Sequence, residues 1–85
     1  MYELKYKASV AKELRQLPKP QLKRVVRRIQ ELVKVPRAVG CTKLQGRDNI
    51  YRVRKGDYRI IYTINDSTVT VLVIKAGHRK DVYER

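Results

Sequence analysis

Three arginines, Arg52, Arg54 and Arg59, stand on two neighbouring runs, Ile50 to Arg54 and Asp57 to Ile64, in which polar and apolar side chains alternate. If Lys55-Gly56 closes them into a hairpin by a two-residue turn, Arg54 faces Asp57, Arg52 faces Arg59, Tyr51 faces Ile60 and Val53 faces Tyr58. One face of that hairpin is then aromatic and aliphatic, and the other presents three arginines and an aspartate. Like charges set opposite one another cost a sheet stability, so such a face calls for a bound anion. Guanidinium groups are planar, permanently charged and able to hold a phosphoryl group in two places, which suits both gripping RNA and stabilising a pentacoordinate phosphorane. The competing reading is a solvated surface with an Arg54 to Asp57 ion pair. Downstream, His78, Arg79 and Tyr83 follow Gly77, which reads as the end of a strand, so this tail can fold back over the same surface. His78 is the one side chain whose ordinary pKa lies near neutrality and is the first choice for proton transfer. Arg79 and Tyr83 share a helical face at i, i+4, and Tyr83 could stack on an unpaired base. Against these roles stand a plain surface histidine and a tyrosine that anchors the tail.

A second basic group lies on a helix-like segment, where Lys23, Arg24, Arg27, Arg28 and Lys34 line one side. With Lys55 at the hairpin turn, Lys23, Arg24, Arg27 and Arg28 are the expected contacts to RNA, the alternatives being a seat for an acidic partner segment and a solvated helix face. The whole composition agrees: Lys and Arg number 21 against 8 Asp and Glu, a formal charge of +13. The excess runs through the entire chain, and its natural partner is a polyanion. With one cysteine, Cys41, and one histidine there is neither an internal disulfide nor a zinc set, and Cys41 reads as an inert thiol. No cofactor or metal is expected. No apolar run approaches a membrane span, and the N-terminus lacks the apolar core of a signal peptide, which predicts a cytoplasmic protein with no membrane partner.

The elements that must position these residues can be read from periodicity. A chain of 85 residues forms one domain, residues 1–85. Tyr2, Leu4 and Tyr6 alternate with charged residues and predict a first strand ending near Lys7. Val10, Leu14 and Leu17 predict a short helix over 9–17 capped by Ser9, and Pro18 and Pro20 break it. Leu22, Val25, Val26, Ile29, Leu32 and Val33 form one apolar stripe on a second helix, which Pro36 stops after Lys34. Residues 36–48 are loop-like. A third strand-like run, Thr68 to Lys75, follows Asn65-Asp66-Ser67 and is broken by Gly77; a two-residue Asp66-Ser67 turn would set Tyr62 and Ile64 opposite Val71 and Val69, and Arg59 opposite Ile74. The expected fold is α+β, in the order β-α-α-β-β-β, with a helical hairpin on an antiparallel C-terminal meander. A DNA-reading helix-turn-helix is disfavoured by the proline-containing connection.

Leu44-x-Gly46, then Tyr51-Arg52-x-Arg54-x-Gly56-Asp57-Tyr58-Arg59-Ile60-Ile61-Tyr62, then Ala76-Gly77-His78-Arg79-x-x-Val82-Tyr83 resemble the RelE/ParE superfamily of type II toxins, in its RelE branch. The resemblance spans essentially the whole chain. It implies a compact toxin neutralised by a cognate RelB-like antitoxin, and a ribosome-dependent, metal-independent endoribonuclease that cuts mRNA in the A site. The implied chemistry is attack by the ribose 2′-hydroxyl on the adjacent phosphate, leaving a 2′,3′-cyclic phosphate and a 5′-hydroxyl. By position, the resemblance makes Arg59 the phosphate-binding arginine and Arg79 and Tyr83 the tail pair. Arg52 and Arg54 fall where the best-known member of that branch has lysines, and an arginine is a poor general base, so a base role does not transfer with the position. His78 could then take the proton, or in-line positioning by the ribosome could carry the rate. Two other functions share the fold or the charge: a non-enzymatic ParE-like toxin that poisons gyrase by binding, and a catalytically silent RNA-binding module.

Overall fold

The computed structural model describes residues 1–44 and 49–78. The described elements are β1 (Glu3–Tyr6), α1 (Ala8–Arg15), α2 (Lys19–Lys34), β2 (Thr42–Lys43), β3 (Ile50–Lys55), β4 (Tyr58–Asn65) and β5 (Thr70–His78). The strands form a mixed sheet in the order β1-β5-β4-β3-β2, in which only β1 and β5 run parallel. The α+β expectation holds, with one addition. The two-residue strand β2 lies in the segment read as loop and pairs Thr42 with Arg52 and Lys43 with Tyr51. Two residues are too few to carry a period, so nothing in the sequence marks it.

Local chemistry sets the helix ends. Pro18 occupies the cap position of α2 and Pro20 its first turn, where a missing N–H leaves no bond unmade. Val25, Ile29, Leu32 and Val33 are the buried stripe of α2, and the helix stops at Val35, which extends ahead of Pro36. At the start of α1 the cap residue is Lys7, and Ser9 lies inside the helix without capping it. The strand pairing decides this, because the Lys7 N–H donates to the Val73 carbonyl at 3.0 Å and the Lys7 carbonyl accepts from Val10 N–H at 2.9 Å. Tyr6 is 41% exposed at the sheet edge, so on this face of β1 it is Tyr2 and Leu4 that pack on the core.

Val10 from α1 and Val25, Ile29 and Leu32 from α2 pack on Tyr51, Val53, Ile60, Tyr62, Ile64, Val71, Val73 and Ala76 of the sheet. Tyr62 is the largest fully buried side chain among the described residues, and its hydroxyl donates to the Pro36 carbonyl at 2.6 Å. That bond satisfies the one polar atom the tyrosine brings into the core and fixes where the chain leaves α2. Burial pushes the Tyr62 phenol well above its ordinary pKa. Its ring lies against Tyr51, with centroids 5.9 Å apart.

Both hairpin registers differ from expectation. In β3 and β4, Arg54 faces Arg59, Val53 faces Ile60, Arg52 faces Ile61 and Tyr51 faces Tyr62. The turn is Gly56-Asp57, with Lys55 and Tyr58 closing it. Gly56 carries φ +61 at the first turn position, where a two-residue hairpin loop with one left-handed residue needs glycine; reading it at the second position misplaced the turn. The slip moves each partner by two residues, so every side chain keeps its face. Between β4 and β5, Ile64 faces Val71 and Tyr62 faces Val73, but Ile61 faces Lys75 and Arg59 faces Gly77. Ile74 is the extra residue of a β-bulge, and the strand runs through Gly77 to His78 instead of ending there.

Candidate functional site

Tyr51 and Val53 belong to the core, so the alternation of β3 turns Arg52 and Arg54 to the sheet face away from the helices. Ile60 and Tyr62 do the same for β4 and send Arg59 to that face. Arg59 is central. It has Arg54 directly across on β3 and Gly77 directly across on β5, and its Nε atom is buried. Arg52 and Arg59 are half-buried, while Arg54 is exposed. The expected cluster of three arginines therefore exists, with the like-charge opposition at Arg54 and Arg59 instead of Arg52 and Arg59. Asp57 lies in the turn and, among the described residues, forms no ion pair with Arg54.

His78 is the main correction. It faces Tyr58 across the β4 and β5 ladder, and the two rings meet edge to face at 5.6 Å and 83°. Tyr58 is on the helix side of the sheet, and His78 lines a small cleft with Glu13, Gln16 and Leu17 of the α1 region. The bulge is the cause. Val71 and Val73 point to the core, and unbroken alternation would send His78 to the arginine face; the extra residue at Ile74 inverts the alternation and turns Ala76 and His78 to the helix side. His78 is thus on the other side of the sheet from Arg52, Arg54 and Arg59. Beyond the bulge, Glu13 of α1 faces the Ala76 backbone N–H, and burial raises its carboxyl pKa against the opposing pull of Lys75 and that N–H. Arg79 and Tyr83 lie outside the described residues, as does Gly46.

The second basic group divides. Lys23, Arg24 and Arg27 are exposed along α2. Arg28 is half-buried, donates from Nη2 to the Val39 carbonyl at 3.0 Å and sits 3.7 Å from Glu31, so it ties the end of α2 to the following loop. Lys55 faces Tyr58 at the hairpin turn and shares a cleft with Arg24, bringing together two cations that the sequence places on unrelated segments.

A cluster that no local signal announces closes the opposite end of the sheet. The Arg37 guanidinium donates to both carboxylate oxygens of Asp66, at 2.9 and 3.3 Å, and its Nε donates to the Tyr51 hydroxyl at 3.2 Å. The Tyr2 hydroxyl donates to Asp66 at 2.8 Å. Arg37, and after it Tyr2, hold the Asp66 carboxyl below the usual carboxylate range, and Asp66 in turn raises the Arg37 pKa. This network joins the N-terminus, the segment after α2, β3 and the β4 to β5 turn.

A helical hairpin on one side of a mixed sheet and an arginine cluster on the other define the class. A family model described as the ParE toxin of a type II toxin-antitoxin system, parDE, matches residues 4–83, and the chain belongs to the RelE/ParE family of type II toxins. Within it, the chain is 30% identical over 81 residues to the mRNA interferase toxin RelE of Escherichia coli strain K12, covering 93% of this chain and 84% of that protein. It is 29% identical over 85 residues to toxin RelG of Mycobacterium tuberculosis, covering 99% and 98% of the two chains. Its fold superposes on the toxin in the crystal structure of the intact E. coli RelBE toxin-antitoxin complex with a TM-score of 0.81 at 28% identity, over 92% of this chain and 96% of that one.

Proposed function

We propose that this toxin is an endoribonuclease that cuts messenger RNA in the ribosomal A site and so stops translation in the cytoplasm. The observation that carries the reading is the arginine face itself. Arg54 is held directly opposite Arg59, on a sheet face that the helices leave uncovered, and two guanidinium groups set across a ladder favour an anion bound between them. In the reaction the ribose 2′-hydroxyl attacks the neighbouring phosphorus, the bond to the 5′-oxygen of the next nucleotide breaks, and a 2′,3′-cyclic phosphate and a 5′-hydroxyl result. Arg59, half-buried and fixed in a central strand, stabilises the charge that builds on the phosphorane, and Arg52 and Arg54 hold the phosphate in line. None of these arginines takes the 2′-hydroxyl proton at neutral pH, since a guanidinium stays charged. With His78 on the other sheet face, positioning of the nucleotide by the ribosome supplies much of the rate. Arg79 and Tyr83 are assigned to the same site by resemblance alone, as the second guanidinium and the base-stacking ring.

The similarity to the toxin of the RelBE complex supports a RelB-like antitoxin as the cellular partner, an acidic segment that folds onto the +13 chain. The family description names a ParE toxin, which keeps gyrase poisoning as the second reading. Induction in cells, with mRNA 5′ ends mapped and DNA breaks scored in parallel, separates the two. In-frame cuts within translated codons are the expected result, and DNA breaks with intact messages would overturn it.

A further inference from the structure

Between the start of α2 and the β3 to β4 turn lies a cleft of about 420 Å³ lined by Gln21, Arg24, Lys55, Gly56, Asp57 and Tyr58. Small-ligand sites commonly occupy about 300 to 1,000 Å³, so the volume suits one nucleotide. Arg24 comes from the helix, Lys55 from the strand end and Asp57 from the turn. Among the described residues neither Arg24 nor Lys55 forms an ion pair with Asp57. At Gly56 a Cβ would meet nothing within 4 Å, so the turn leaves open space beside it. Tyr58 supplies an aromatic wall, its ring held edge-on by His78 at 5.6 Å.

We propose that this cleft is a nucleotide subsite for single-stranded RNA, in which Arg24 and Lys55 hold a phosphate, Tyr58 packs against the base, and Asp57 selects guanine. Selection follows from the donor inventory. A carboxylate only accepts, and guanine alone among the four bases presents two adjacent donors, N1–H and the N2 amino group, spaced for its two oxygens. The Gln21 amide can donate to O6 of the same base. Adenine and cytosine set one amino group beside an acceptor, and uracil offers a single N–H. The inference rests on the reading that this toxin acts on RNA and adds a nucleotide outside the scissile one, because the cleft is on the helix side of the hairpin and Arg59 on the other. That nucleotide can belong to the message or to ribosomal RNA, and the chemistry is the same.

The test is a titration of the full chain with a short uridine oligonucleotide carrying one guanosine and with its inosine counterpart, which lacks the N2 amino group, both with 2′-O-methyl sugars that prevent cleavage. The guanosine oligonucleotide should bind about ten-fold more tightly, the scale of one base-edge pairing. Asp57→Asn should abolish that difference, whereas Arg24→Ala and Lys55→Ala should weaken both ligands alike and lower the salt dependence by about one counterion each. Equal binding of the two oligonucleotides, or a difference that survives Asp57→Asn, overturns the subsite. If the wild-type chain cuts ribosome-bound message but shows no discrimination, the subsite alone falls. If it discriminates but cuts nothing, the subsite stands and the nuclease reading falls. A shifted pattern of cut sites in Asp57→Asn places the nucleotide in the message, and an unshifted pattern with weaker ribosome binding places it in ribosomal RNA.

Discussion

Replacing Arg59 with alanine should separate chemistry from stability. If Arg59 stabilises charge in the transition state, its removal should slow cleavage of ribosome-bound message by about 10² to 10³ fold, equivalent to about 2.7 to 4 kcal/mol. Two small opposing quantities act on folding. Truncation removes two stem methylenes of a half-buried side chain, a loss of about 0.8 kcal/mol at about 0.8 kcal/mol per fully buried methylene. It also relieves the repulsion from Arg54 directly opposite, about 0.2 to 1 kcal/mol. Urea unfolding should therefore find the variant within about 1 kcal/mol of the parent, and single-turnover cleavage should find it nearly inert. A double-mutant cycle locates the repulsion. Coupling between Arg54→Ala and Arg59→Ala should reach a few tenths of a kcal/mol and exceed that between Arg52→Ala and Arg59→Ala, because Arg52 faces Ile61. An Arg59→Ala chain that unfolds, or one that folds and cuts at the parental rate, refutes the assignment, and a larger coupling with Arg52 refutes the register.

The side of the sheet on which His78 lies predicts that His78→Gln keeps cleavage within about threefold of wild type; a loss of 10² fold or more, the scale of general acid-base catalysis, would return His78 to the reaction. Tyr62→Phe should cost about 1 to 2 kcal/mol in urea unfolding by leaving the Pro36 carbonyl without its donor, with unchanged cleavage per folded molecule. Asp66 has a folded pKa below its unfolded value, so its network stabilises above about pH 4 and is lost as pH falls through the folded pKa; a thermal melt series in acid should show this component in the wild type and not in Asp66→Asn. Changing Lys23 and Arg27 together to alanine should lower the salt dependence of ribosome binding without altering the melting temperature, whereas Arg28→Ala should lower the melting temperature, because Arg28 ties α2 to Val39.

What could be read from the sequence was what repeats. The α2 stripe from Leu22 to Val33 and the alternation of Tyr51, Val53, Ile60 and Tyr62 each carry a period, and they fixed the helices, the core and the face on which Arg52, Arg54 and Arg59 emerge. The exact partners were not legible, because a turn one residue off gives the same faces with different neighbours, and only the positive φ at Gly56 decides between them. The bulge at Ile74 was beyond reach: one added residue in a uniformly apolar run leaves no compositional mark, yet it moved His78 to the other side of the sheet. The cluster of Arg37, Asp66, Tyr2 and Tyr51 joins residues from four distant places, and no local pattern encodes such a meeting. Arg24 with Lys55 is a similar case.

The bulge also partitions the sheet mechanically. β1 pairs with β5 only as far as Tyr6 with Val73, so the strand is clamped on both edges up to the bulge and afterwards has β4 as its one strand neighbour among the described residues, with Glu13 of α1 at the Ala76 amide. Up to that point lies a stiff scaffold of parallel and antiparallel ladders. Past it, the end of β5 and the β3 to β4 hairpin form a narrower ribbon that carries Arg54, Arg59 and Gly77, braced by fewer strand partners among the described residues than the scaffold has. Sequence drift on the ribbon can therefore retune grip on a phosphate without repacking Val71, Val73 or the helices above them.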